Sequence, residues 1–408
     1  MLSYLLRRLL LIIPTLLGIT LIAFATMVLS PGGIGAPLVD GNLKPKERAA
    51  VEAYYNQRFG LNQPAPVQYL RWLNNTSPIG FTQDAKGNYT GFSFTKGIDL
   101  GTSLNYNRPV ADILAERLPI TLLLNVVTIP IIYIVAIIVG VRAAEDRGGR
   151  FDVASNVSML VLWSIPPMLA GVLLIGFFAN SQHLQWFPAS GLSSREAQDM
   201  PFLPHWASLA DVLKVFVGLV LGMVSATLLS RLMKWSVWGL AFSLSVGAIL
   251  GIGIAMQFAS DGFVRGFLLD RIWHLILPVI CLSYGGFAVL AKLTRASILE
   301  NLYSDYARTA RAKGLDEQDV MWRHVFRNSL LPLITVSAGL LPSLLSGSVI
   351  VENIFSINGM GQLAVEAVQF RDRELVLAIT WISGLLTLIG YLIADFFYTI
   401  ADPRVSYE

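Results

Sequence analysis

The stretch YSDYARTARAKGLDEQDVMWRHVFRNSLLP, Tyr303 to Pro332, is polar and basic and lies between apolar runs that are each long enough to cross a bilayer. Its punctuation is helical. Ser304 or Asp305 can cap a short helix, Ala307, Ala310 and Lys313 recur every three residues, and Gly314 supplies a left-handed residue that stops it. Asp316 then opens a second helix. The alanines are small enough to let another protein's surface approach, and Arg308, Arg311 and Lys313 hold the loop on the cytoplasmic side of a membrane. The stretch is read as a docking element.

The rest of the chain agrees with a membrane setting. Apolar residues make up 54% of 408 and charged residues 14%, too apolar a balance for a soluble fold. The chain is therefore an all-α polytopic membrane protein. A net charge of +3, with the basic residues gathered in loops, gives no nucleic-acid patch. The one cysteine, Cys281, sits in an apolar run and reads as core packing, and His183, His205, His274 and His324 lack ligand spacing, so no metal site is expected.

Working outward from the loop, the apolar run at 273–293 precedes it, and runs at 329–351 and 375–400 follow. At the start of the chain, Arg7 and Arg8 precede Leu9 to Leu29, about 21 residues, which covers about 30 Å of hydrocarbon at 1.5 Å per residue. The turn Ser30-Pro31-Gly32-Gly33 favours a retained span over a cleaved signal. From Pro31 to Arg117 the composition turns to Asn, Gly, Tyr and Pro, as expected for a folded extracytoplasmic segment, in which Asn74 to Gly97 reads as an extended loop or hairpin. Spans at 120–141 and 153–179 are joined by RAAEDRGGRFD, whose Arg142, Arg147 and Arg150 mark it as cytoplasmic. Pro130 and the pair Pro166-Pro167 fall inside these spans; Ser164, Pro166 and Pro167 are candidate path-lining residues, with simple packing as the alternative.

The loop resembles the cytoplasmic coupling loop, or EAA loop, of bacterial binding-protein-dependent ABC importers, and is most similar to the B-type permeases for dipeptides and oligopeptides. DYARTARAKGL followed by RHVFRNSLLP carries the resemblance. The family's Glu-Ala-Ala stands here as Arg308-Thr309-Ala310, and Gly314 lies further from Leu331-Pro332 than in the general pattern, as in the peptide subfamily. RFGLNQPAPVQYLRWL (58–73), IDLGTSLNYNRPVADILAERLPIT (98–121), VIVENIFSINGMGQLAVEAVQFRDRELV (349–376) and the closing ADPRV look like family strings too. After WFPASG (186–191) the chain departs from the pattern by inserting about seventy residues, whose runs 211–232 and 237–258, separated by a turn with Arg231 and Lys234, read as a transmembrane hairpin.

The apolar runs add up to about eight transmembrane helices, and the resemblance implies that they form a type I ABC importer permease bundle: a first helix at 1–30, an extracytoplasmic segment at 31–117, and a permease domain at 118–400. The hairpin at 209–260 is inserted in that domain, and a cytoplasmic tail at 401–408 closes the chain. It implies a bacterial inner membrane location with both termini cytoplasmic. It further implies that Tyr306, Arg308, Thr309, Ala310, Arg311, Ala312, Lys313, Gly314 and Leu315 couple to an ATPase. The partners would be a second homologous permease, two ATP-binding subunits, an extracytoplasmic solute-binding protein and the lipid bilayer. No phosphate-loop string, nucleophile elbow or metalloprotease helix occurs, so the chain is expected to be non-catalytic, with ATP and Mg on the partner subunits. A self-contained carrier or channel is the alternative, disfavoured because carboxylates near the midplane of a span are scarce; a membrane scaffold is a third. Glu352 and Asp395, the latter with Arg404, are read as structural pairs, and Gly359 with Gly361 as a tight extracytoplasmic turn rather than a phosphate cradle.

Overall fold

The computed structural model describes residues 2–29, 63–83, 89–206, 209–232, 237–257, 263–264 and 266–401. The sequence readings that fall on 30–62, on Lys234, on Phe258 and on the tail at 402–408, Arg404 included, lie outside these residues. The described chain divides into two units, 1–190 with 277–408 and 191–276.

The first unit opens with α1 (Leu2–Leu29) and α2 (Ala65–Thr76), followed by the hairpin β1 (Gly80–Gln83) and β2 (Tyr89–Ser93). The polar Asn74 to Gly97 stretch is thus a hairpin, in register Phe81 opposite Phe92. Then come α3 (Val110–Glu145), α4 (Arg150–Ser164) and α5 (Pro167–Phe178). Pro130 lies inside the unbroken α3. Pro166 and Pro167 instead end a helix, and α4 and α5 meet at 99° rather than forming one span with a local bend. The cause is local: two successive residues lack an N–H, and a residue before proline is driven from the α region, so Ile165 is extended at φ −82°, ψ 120°.

The second unit contains the insertion. Its strands β3 (His205–Trp206) and β4 (Phe263–Val264) pair antiparallel, and between them α6 (Leu209–Leu232) and α7 (Val237–Gln257) form the expected hairpin. Glycine lets the two backbones touch: a Cβ on Gly222 would sit 2.0 Å from the Gly247 carbonyl oxygen, and one on Gly251 2.2 Å from that of Gly218. The outward residues of α6, such as Leu213, Phe216 and Leu221, are apolar and exposed, as lipid-facing positions are.

Helix α8 (Gly266–Leu302) leads to α9 (Asp305–Ala312), the single turn α10 (Glu317–Asp319), a π-helical segment Val320–Val325, then α11 (Phe326–Ile354), α12 (Met360–Gln369) and α13 (Arg373–Ala401). Among the described residues five helices, α1, α3, α6, α8 and α13, are long and apolar enough to cross a membrane, with the bent pair α4 and α5 as a sixth only if its two arms together make one broken span. Helices α7 and α11 occupy the two remaining runs that the sequence reads as spans.

At the end where α12 lies, buried polar groups do the holding. Glu352 is fully buried and accepts hydrogen bonds from Thr121 Oγ1 (2.8 Å) and the Gly361 and Gln362 amides (2.7 and 3.1 Å), while the Thr121 hydroxyl accepts from the Met360 amide (2.8 Å). The carboxylate thus sits on the amides that open α12. Of the two glycines read as a tight turn, Gly359 is the N-cap of α12 at φ −100° and Gly361 lies inside that helix, while the positive φ of 50° in the preceding turn belongs to Ser356. The glycines are there for space, since a Cβ on Gly359 would lie 2.5 Å from Glu352 Oε2 and one on Gly361 2.5 Å from Val349 Cα. Nearby, buried Asp372 accepts from Ser103 Oγ (2.5 Å) and the Asn105 amide (3.1 Å), and Arg373 pairs with Glu374 and donates to Gln68 Oε1 (2.8 Å), tying the segment before α3 to the start of α13.

Candidate coupling surface

Helix α9 is short because both of its ends are set by single residues. Ser304 occupies the N-cap with extended backbone, but its hydroxyl donates back to the Asn301 carbonyl (2.6 Å), so no side chain caps the helix and Asp305 in the first turn complements the dipole. Gly314 takes φ +80°, and the Gly314 and Leu315 amides return to the Arg311 and Ala310 carbonyls (2.9 and 3.4 Å), closing the C-terminus with a left-handed residue as the sequence predicts. Asp316 caps the next turn by accepting from the Gln318 amide (3.2 Å).

The two faces of α9 divide its residues. Ala307 and Ala310 are buried, packed with Val141 and Ala144 of α3, Ile298 of α8 and Val320, Met321 and Val325 of the π-helical segment. Their small size serves close packing within this chain, which corrects the expectation that Ala307 and Ala310 open the helix to another protein. Arg311 also turns back, with its guanidinium on Glu317 Oε1 (2.8 Å) and the Leu302 carbonyl (3.2 Å). The outer face carries Tyr306, Arg308, Thr309, Ala312 and Lys313, with Gly314 and Leu315 following, all exposed. Trp322 and Arg323 extend this face onto the π-helical segment. It mixes two aromatic rings, a leucine and three guanidinium or ammonium groups, an aromatic and arginine composition that suits a protein interface.

Behind this surface α9 is joined to three long helices. Ser297 Oγ donates to the Ser329 carbonyl and Ser329 Oγ to the Ser297 carbonyl (3.2 Å each), with Asn301 Nδ2 on Ser329 Oγ (3.1 Å), linking α8 to α11. Arg295 of α8 holds the buried Asp152 of α4 through Nε and through Nη2 (2.7 Å), and Asp152 also accepts from the Gly148 amide (2.9 Å). Gly140 allows α3 to meet α8, where a Cβ would lie 2.5 Å from Thr294 Cβ. The Arg147 guanidinium rests 5.4 Å from the centre of the Tyr303 ring, so the loop after α3 and the loop after α8 share one end of the unit.

The candidate path residues lie at the α4–α5 break. Ser164, Pro166 and Pro167 are exposed, and the Ser164 hydroxyl returns to the Leu160 carbonyl (2.8 Å). Two carbonyls at the break are met from α8: Tyr284 OH donates to Ile165 (2.7 Å) and the Cys281 thiol lies 3.5 Å from the Pro167 carbonyl. Cys281 is buried, as core packing predicts, and close to Gly171, where an added Cβ would meet its sulfur at 3.5 Å.

Two family models cover nearly the whole chain. Residues 136–407 match the binding-protein-dependent transport system inner membrane component, and residues 1–125 match the N-terminal region of the membrane components of the same systems. The chain belongs to this family of permeases. It is 31% identical to the oligopeptide transport system permease protein AppB of Bacillus subtilis and 29% identical to the dipeptide transport system permease protein DppB of Alkalihalophilus pseudofirmus, with the whole of each chain covered. It is 28% identical to the peptidoglycan transport system permease protein YejB of Agrobacterium fabrum, covering 98% of that protein.

The chain is thus the permease component of a binding-protein-dependent ABC importer, a multi-pass inner membrane protein that works with a solute-binding protein and an ATPase. In this permease the sequence reading finds the loop but misses Asp152, Arg295, Tyr284 and the Ser297–Ser329 pair, which join it to the helices behind. Asp152 and Arg295 carry a weak local signal, a charge near each end of an apolar run, whereas the pairing across 143 residues carries none.

Proposed function

We propose that the outer face of α9, formed by Tyr306, Arg308, Thr309, Ala312, Lys313 and Leu315 with Gly314 setting its end, is the surface gripped by the ATPase subunits, and that Ala310 and Arg311 transmit the motion inward. The carrying observation is the division of one eight-residue helix into an outer face that is exposed and an inner face packed on α3, α8 and the π-helical segment. A push on the outside reaches three long helices with no compliant layer between, because close-packed interiors transmit strain.

In this reading two ATP-binding subunits, holding ATP and Mg, act on this chain and on a second, similar permease. Eight spans with both termini cytoplasmic put α9 on the cytosolic side. The contact of Arg147 with Tyr303 supports that arrangement, since it places two basic loops at one end, as the positive-inside rule requires. The solutes are peptides or close relatives, by analogy with the relatives named above, and the chain itself is non-catalytic. Nucleotide and docked binding protein drive rocking of the bundle by their preference for one of its two states.

The test is ATP-dependent uptake of a defined dipeptide and an oligopeptide into vesicles holding the complete assembly with its binding protein. The result expected is uptake that needs ATP and the ATPase subunits, abolished by Arg308→Glu with Lys313→Glu while assembly of the permease pair persists. Flux through the purified single chain without ATP would overturn the proposal, as would full activity in the charge-reversed variant.

A further inference from the structure

The hairpin β1–β2 is amphipathic across its two faces, a property the importer function does not use. Phe81 opposes Phe92 in the ladder, and with Ile79 and Phe94 at alternate positions they put four large apolar side chains on one face, Phe94 being 75% exposed. Their rings pack edge to face, Phe81 on Phe92 at 5.4 Å and Phe92 on Phe94 at 5.2 Å. The other face is Thr82, Thr90 and Ser93 with two glycines, and the two threonine hydroxyls are 3.0 Å apart. A groove of about 530 Å³ lined by Leu70, Leu73, Asn74, Ser77, Ile79 and Phe81 continues the apolar face onto α2.

What covers this face is indicated by where α2 is held. The Tyr69 hydroxyl lies 3.0 Å from Thr20 Oγ1 and donates to the Leu17 carbonyl (3.1 Å), while its ring contacts Phe24 and Trp72. Leu17, Thr20 and Phe24 all lie in the C-terminal half of α1, so α2 packs along that half of the helix. Helix α2 therefore lies against a membrane span and cannot stand off in solvent. Its buried side is Tyr69, Trp72 and Thr76, its exposed side includes Val67 and Leu70, and its one charged residue is Arg71. At the rim of the groove the Lys96 ammonium donates to the Asn74 carbonyl, a cation set beside an apolar surface, as at a headgroup layer.

We propose that Ile79, Phe81, Phe92 and Phe94, with Val67 and Leu70, bed into the boundary between headgroups and acyl chains of the leaflet at the C-terminal end of α1. The hairpin is then an in-plane float that fixes the height of α2 and of the buried Tyr69 against α1. The inference needs only that α1 spans the bilayer, so it stands or falls separately from the coupling role of α9.

The test is a nitroxide on the full chain in vesicles of phosphatidylcholine and phosphatidylglycerol, alone and in the complete assembly. Cys281 is buried and stays in place, with the wild-type chain as the labelling control. A label at Phe94→Cys should be reached several-fold better by oxygen than by a water-soluble nickel complex, and a label at Thr90→Cys should show the reverse. Leu70→Cys reports the same surface if the hairpin variant fails to insert. Equal access of the nickel complex to positions 94 and 90 would overturn the proposal, and so would shielding of position 94 from both reagents in the assembly, which would assign the face to a protein partner.

Discussion

Gly314 is the position at which backbone geometry alone can be tested, because an added Cβ there meets nothing within 4 Å while φ is +80°. Any loss on substitution must come from the backbone or from a partner, not from crowding within the chain. An L side chain in this region costs about 1–2 kcal/mol, and a β-branched one is a more severe outlier. Taking about 2 kcal/mol for Gly314→Val, the closed loop loses about 30-fold in population relative to opened forms, while Gly314→Ala at about 1 kcal/mol loses about fivefold. Asparagine enters the left-handed region several times more readily than other residues, so Gly314→Asn should stay near the wild type. ATP-dependent uptake and the stimulation of ATP hydrolysis by loaded binding protein should therefore fall in the order Gly, Asn, Ala, Val, with membrane insertion unchanged. A Val variant with wild-type uptake and coupling would refute the reasoning. An Asn variant as damaged as the Val variant would show that side-chain volume at an interface, not the left-handed backbone, sets the requirement.

Asp152→Asn should uncouple α4 from α8, because it leaves the Arg295 guanidinium without its carboxylate beside a buried position; losing one partner of a buried pair costs about 3–5 kcal/mol, and this pair's partial exposure at Arg295 lowers that figure. Thermal unfolding of the detergent-purified assembly measures it, and an unchanged midpoint would count against the link. Glu352→Ala should destabilise the α11–α12 junction more than Glu352→Gln, since the alanine strands the Thr121 hydroxyl and two amides at about 1–3 kcal/mol each; limited proteolysis between 350 and 372 reads the difference. Burial, and then the hydrogen bond to Glu366, push the Tyr106 phenol up to about 12 from 10.0. A folded-state pKa raised in this way favours the neutral phenol, so its stabilising contribution is complete below pH 10.0 and is lost as pH rises toward about 12. Tyr106→Phe should flatten that alkaline loss in a pH series of unfolding midpoints, and an identical series for both chains would exclude the contribution.

Features set by neighbouring residues were legible in the sequence. Gly314 and Asp316 mark the end of α9 and the start of α10 because caps and left-handed stops act within four residues, whereas Ser304 takes the N-cap position without its hydroxyl capping, and of the loop or hairpin allowed by the composition of Asn74 to Gly97 the chain forms the hairpin. The inserted pair α6 and α7 follows from length and hydropathy alone. Features set by distant residues were not legible. Small alanines read alike whether they admit a partner or the chain's own helices, and Ala307 and Ala310 are resolved only by Val141, Ala144 and Ile298 arriving from other elements. Pro166-Pro167 announces a break but not an angle of 99°, which depends on carbonyls answered by Tyr284 from 119 residues away. Gly359 and Gly361 looked like turn residues because glycine serves both left-handed backbone and close approach, and only the position of Glu352 distinguishes the two.

The buried alanines beneath α9 also bear on how finely the permease can be timed. A drive train with play between its parts wastes the first portion of each stroke, and a bulky, many-rotamer side chain at Ala307 or Ala310 would introduce such play. With their methyl groups packed among Val141, Ile298 and Val325, there is no slack beneath α9, so under the coupling role proposed above a small displacement of the helix would be passed on to the long helices rather than absorbed.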